Sequence, residues 1–75
     1  MRLYPNPGDG TGTITLPKSL GAVTIELRDA AGRCVHRQRG MAPSIALDAR
    51  IAPGAYIVLA QDREGQRWTA RYIVR

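Results

Sequence analysis

Apolar and polar residues alternate along this chain in short runs separated by Gly, Pro and Asp. That is the period-two pattern of half-buried β-strands, not the 3.6-residue period of helices. From Ala22 to Arg28 the alternation is cleanest, with Val23, Ile25 and Leu27 on one face and Thr24, Glu26 and Arg28 on the other. Ser44–Asp48 repeats it with Ile45 and Leu47 inward, and Thr13–Leu16 gives a shorter run that stops at Pro17. Leu3-Tyr4, just before Pro5-Asn6-Pro7, reads as a short edge strand, because proline cannot donate to an interior ladder. Asn6–Gly12 is rich in turn formers, and Lys18–Gly21 and Gly40–Pro43 read as loops.

The stretch from Ile51 to Arg75 organises the rest. Pro53-Gly54 suits the centre of a type II turn, and Asp62-Arg63-Glu64-Gly65 suits a type I turn whose glycine takes the left-handed conformation. That second turn sets a register: Ala60 faces Trp68, Val58 faces Ala70 and Tyr56 faces Tyr72 on one side. On the other side Leu59 faces Thr69, Ile57 faces Arg71 and Ala55 faces Ile73. The first set is wholly apolar or aromatic and is assigned to the core. Asp29-Ala30-Ala31-Gly32 repeats the turn, and the same rule pairs Leu27 with Val35 inside. It sets Glu26 against His36 and Arg28 against Cys34 outside, with Ile25 against Arg37, so the Arg33–Gln38 strand is expected to leave the core early. Ile51 is the expected plug at one end of the core.

Seven short strands and no helix signal define an all-β fold. Two packed antiparallel sheets bury such strands better than one open sheet, so a seven-stranded antiparallel sandwich is expected. At 75 residues the chain is a single domain, residues 1–75, with a modest core. Its longest unbroken apolar run, Ala55–Ala60, is far short of the roughly 20 residues that span a bilayer. Met1–Pro5 lacks the apolar segment of a signal peptide, so an export signal, if one exists, is expected elsewhere and the domain is expected to be a piece of a larger exported protein.

The formal net charge of +5 comes chiefly from arginines spread along the sequence. Such a balance favours nucleic acid, anionic lipid or acidic polysaccharide as partner. Aromatics are few and Phe is absent, which is thin support for nucleic-acid binding, and none is expected. Cys34 is the single cysteine, so no internal disulfide can form; a dimer linkage and a plain surface thiol both stay open.

Candidate chemistry is sparse. Cys34 with His36 is too small a set for zinc, and His36 opposite Glu26 reads as a surface ion pair. Ser19 and Ser44 lack an activating base. Gly8-Asp9-Gly10-Thr11-Gly12 fails both the P-loop and the EF-hand patterns and reads as a turn. No enzyme activity, metal or cofactor is expected. The unexplained surface is the outer face of the terminal hairpin, where Ile57, Leu59 and Ile73 lie beside Arg67, Arg71 and Arg75. The chain ends within this strand, which makes its last residues candidates for function.

Four stretches occur in a telling order: Leu3-Tyr4-Pro5-Asn6-Pro7; Asp29-Ala30-Ala31-Gly32-Arg33 after the Val23–Leu27 strand; Ile45–Leu47 leading into Pro53-Gly54-Ala55-Tyr56-Ile57-Val58; and Arg71-Tyr72-Ile73-Val74-Arg75. Together they resemble the C-terminal sorting domain of the type IX (Por) secretion system, in its type A form, over essentially the whole chain from Leu3. The resemblance implies an immunoglobulin-like β-sandwich attached to N-terminal cargo domains. It also implies recognition by the outer-membrane translocon, removal by a sortase-like protease, and a route through the periplasm to the cell surface. Tyr4, Pro5, Asn6, Pro7, Asp29, Gly32, Arg33 and Pro53 are then motif residues with turn or structural roles. Gly54, Tyr56, Ile57, Leu59, Arg67, Arg71, Ile73 and Arg75 are the expected recognition set. The family usually ends in lysine-containing segments, and here Arg71 and Arg75 stand in; charge is kept but the compact ammonium is not. The alternative reading is an immunoglobulin-like accessory module that binds an anionic glycan or a protein at the cell surface.

Overall fold

A computed structural model describes residues 1–17 and 21–75; the loop expected at Lys18–Leu20, with Ser19, lies outside the described residues. Seven strands form among them: β1 (Arg2–Tyr4), β2 (Thr11–Thr15), β3 (Gly21–Arg28), β4 (Cys34–Ala42), β5 (Ser44–Asp48), β6 (Gly54–Asp62) and β7 (Arg67–Val74). All pair antiparallel, in a three-stranded sheet of order β1-β2-β5 and a four-stranded sheet of order β4-β3-β6-β7. This is an immunoglobulin-like β-sandwich in which the fourth strand stays beside the third and does not cross to the other sheet.

The core lies between the sheets. Ile14, Ile25, Leu27, Val58, Ala60 and Tyr72 are fully buried, joined by Leu16, Val23, Ile45, Leu47, Tyr56 and Val74. Each inward position on a strand is followed by an outward one, so the alternation in the sequence becomes the partition between core and water. Ile51 and Trp68 are half-buried and pack against this cluster, as the end plug and hairpin partner they were expected to be.

The terminal hairpin has the expected register throughout, from Ala60 opposite Trp68 to Ala55 opposite Ile73. Its turn closes with the Gly65 amide donating to the Asp62 carbonyl at 3.3 Å and Gly65 at φ 86°. The β3–β4 hairpin has the same turn, with Gly32 at φ 85°, but a different ladder. A bulge between Leu27 and Arg28 sets Leu27 opposite His36, Glu26 opposite Arg37 and Ile25 opposite Gln38, leaving Val35 exposed. The expected pairs of Leu27 with Val35, Glu26 with His36 and Ile25 with Arg37 are therefore off by one residue. A straight ladder would turn Arg37 and Arg39 toward the core, where an unpaired charge is costly. No residue of β4 is fully buried, yet the strand stays paired as far as Ala42, so the loop expected from Gly40 is strand, and Gly21 likewise opens β3. Thr11 and Gly12 join β2 and leave the turn they were assigned to. Gly54 sits at φ 158°, far from the roughly +80° of a type II turn, and opens β6 opposite Val74.

Candidate functional site

Both sides of the sandwich are sealed by a side-chain amide. On one side the chain leaves β1 through Pro5-Asn6-Pro7 and crosses to the outer edge of β7. There the Asn6 Nδ2 donates to the Arg71 carbonyl at 2.7 Å and its Oδ1 accepts the Ile73 amide at 3.1 Å, as a neighbouring strand would. Gly8 continues the strap, donating to the Ile73 carbonyl and accepting the Arg75 amide, both at 2.9 Å. A Cβ on Gly8 would collide with the Tyr72 hydroxyl and the Pro5 carbonyl, so this close approach requires glycine. On the other side Gln38 of β4 donates to the Ala46 carbonyl of β5 at 2.8 Å.

Two tyrosines lock the terminal hairpin beneath. The buried Tyr72 hydroxyl accepts the Gly10 amide at 2.8 Å. Tyr56 donates from its hydroxyl to the Ala52 carbonyl, an arrangement like the tyrosine corner of immunoglobulin sandwiches. Tyr56 is thus buried under the site and not part of its surface, and Gly54 and Pro53 shape the entry to β6. Tyr4 is largely exposed. Asp29 and Arg33 act inside their turn: the Asp29 Oδ1 accepts the Ala31 and Arg33 amides and its Oδ2 pairs with the Arg33 Nε at 3.1 Å. Those contacts, the Arg33 amide first, hold the Asp29 carboxyl below the usual carboxylate range.

Above this base lies the outer face of the four-stranded sheet. Ile57 and Ile73 are exposed and Leu59 is half-buried, with Arg67, Arg71 and Arg75 exposed beside them. Register adds residues from the other two strands. One cross-strand row runs Cys34, Arg28, Ile57, Arg71; the next Arg37, Glu26, Leu59, Thr69; the next Arg39, Thr24, Gln61, Arg67. Arg37 and Arg39 belong to this surface because of the bulge, which straight-ladder counting misses. A shallow depression of about 260 Å³ lies among Thr24, Glu26, Arg28, Leu59, Gln61 and Arg67.

Glu26 is the acid of these three rows. It bridges Arg28 at 2.9 Å and Arg37 at 2.8 Å. The hydrogen bond from Arg28, with Arg37 adding to it, holds the Glu26 carboxyl below its ordinary value. The expected Glu26–His36 pair does not form, and His36 meets Gln38 through Nε2 at 2.8 Å. Among the described residues, Arg39, Arg67 and Arg71 have no carboxylate partner within ion-pair distance. The Asp9 carboxylate is engaged by the Thr11 hydroxyl and amide, which lower its pKa. No group of three or more His, Cys, Asp and Glu able to hold a metal gathers among the described residues. No helix there is long and apolar enough to cross a membrane.

The fold is a small immunoglobulin-like module with one basic and apolar sheet face. The family model of the secretion system C-terminal sorting domain matches residues 2–75, and the chain belongs to that family, the type IX (Por) sorting signals. No curated protein gives a significant match. As a sorting signal of this system, the domain directs export toward the outer membrane or cell surface and engages the secretion machinery.

Proposed function

We propose that the domain is a non-catalytic tag that carries an attached cargo across the outer membrane, and that the translocon reads the outer face of the β6–β7 hairpin. One observation carries this reading: the inner face of the hairpin is spent on the core, while its outer face shows Ile57 and Ile73 at 40% and 39% exposure where a solvated strand carries polar side chains. Leu59, Arg67, Arg71 and Arg75 complete that surface, and Gly54 and Tyr56 position it from below. A sortase-like protease then removes the domain, after passage through the periplasm, and the cargo appears at the surface.

The test fuses a reporter protein ahead of the domain in a host with the type IX system. Ile57→Asp with Ile73→Asp should leave the reporter in the periplasm while the purified domain keeps its thermal stability. Normal surface display of that variant would overturn the assignment. Arg39, Arg67 and Arg71, which have no carboxylate partner among the described residues, favour a second reading, in which the same face holds an anionic glycan; it requires binding to acidic polysaccharide that weakens with salt.

A further inference from the structure

We propose that the Arg67–Arg71 stretch of β7 takes an extended acidic peptide segment as an added strand of the four-stranded sheet. This deepens the proposal above by naming the kind of partner the hairpin meets, and its test uses purified components so that it stands or falls apart from export. The argument begins with the backbone. Asn6 and Gly8 bond to the Arg71 carbonyl, the Ile73 amide and carbonyl and the Arg75 amide, so the odd-numbered residues of β7 turn their peptide groups away from β6. By the alternation of an antiparallel ladder, Arg67 and Thr69 turn both N–H and C=O to the same open side, and Arg71 its N–H. No hydrogen bond among the described residues reaches these groups.

The strap stops where it does because the chain before Pro5 belongs to the other sheet, with Leu3 paired to Ile14. The covered half of the edge shows that β7 accepts a neighbour, since Gly8 bridges Val74 in parallel. The uncovered half offers about 14 Å of edge at roughly 3.4 Å per residue.

Charge selects the occupant. A second copy pairing antiparallel about Thr69 would set arginine against arginine at both ends, which is unfavourable and keeps this edge from closing on itself. A partner strand with acids two residues either side of its centre places both against Arg67 and Arg71. A polysaccharide or nucleic acid can meet the arginines but has no alternating amides and carbonyls to zip along the edge.

The experiment titrates the chain with the acetylated, amidated peptide Thr-Glu-Val-Thr-Val-Glu-Thr and follows backbone amide exchange by NMR. Slowing of at least about tenfold at Arg67, Thr69 and Arg71, with no such effect from the peptide carrying Lys for Glu, is expected. Thr69→Pro should abolish that binding yet leave the domain folded, because this amide does not serve the β6 ladder. Arg67→Glu with Arg71→Glu should reverse the preference toward the lysine peptide. The proposal is overturned if those amides exchange unchanged at saturating peptide, if Thr69→Pro binds as well as the parent, or if dextran sulfate alone reproduces the protection.

Discussion

The β3–β4 and β6–β7 hairpins are closed by turns of the same chemistry. In each an aspartate opens the turn, its Oδ1 accepting amides two and four residues on at 2.9–3.0 Å, and a glycine near φ 85° closes it. Past the turn they diverge. The terminal hairpin runs without a slip for eight pairs, whereas its counterpart bulges at Val35 within two. The cause lies in what each outer strand must bury. β7 carries Trp68, Ala70, Tyr72 and Val74 on its inner face, so a straight ladder fills the core. β4 carries His36 and Gln38, and only the bulge keeps Arg37 and Arg39 in water while Gln38 reaches β5. A turn sets register locally, and packing on the other sheet decides whether the strand keeps it.

Five measurements break or sharpen that contrast. The largest effect is expected for Tyr72→Ala, which empties the inner face of β7 and orphans the Gly10 amide; about 3–5 kcal/mol should be lost in denaturant unfolding. Gln38→Ala, on the corresponding face of β4, should cost only about 1 kcal/mol, and equal losses would erase the asymmetry. Deleting Val35 removes the extra residue, so a straight ladder keeps Leu27 opposite His36 and leaves Arg37 and Arg39 in water; a change within about 1 kcal/mol is expected, as for Val35→Thr, and a larger loss would mean that the bulge itself stabilises β4.

The turns should behave alike. Gly32→Ala and Gly65→Ala each force a side chain into the left-handed region, at a cost of about 1–2 kcal/mol, and a large difference between them would mean the turns are not equivalent. The smallest effect concerns pH. The folded-state pKa of Glu26 is lowered, so its bridge to Arg28 and Arg37 contributes above the unfolded value of about 4.3 and is lost as pH falls through the lowered one. Both arginines are well exposed, so the gain is at most about 1 kcal/mol. Unfolding curves of Glu26→Gln should accordingly lie below the parent at neutral pH and converge with it in acid.

Much of this was legible along the chain. Seven strands, the sandwich and the inner and outer faces of the terminal hairpin follow from periods of two, turn residues and their spacing, and the resemblance to the sorting family rests on four stretches in order. These are local properties, written within a few residues of where they act. Asn6 is the clearest exception. Its type and its place between prolines read as a turn, and nothing in the sequence says that its amide would pair with β7, sixty-five residues away. The bulge at Val35 is another, since it answers to the cost of burying Arg37 and Arg39 against β5. Arg37 and Arg39 joined Arg67 and Arg71 on one face only through that slip. What the sequence determined by itself was the strands and, β4 apart, the face each one buries, because burial follows side-chain chemistry. Which strand edges are sealed, by what, and which arginines share a surface was decided by tertiary structure, because those depend on how distant segments meet.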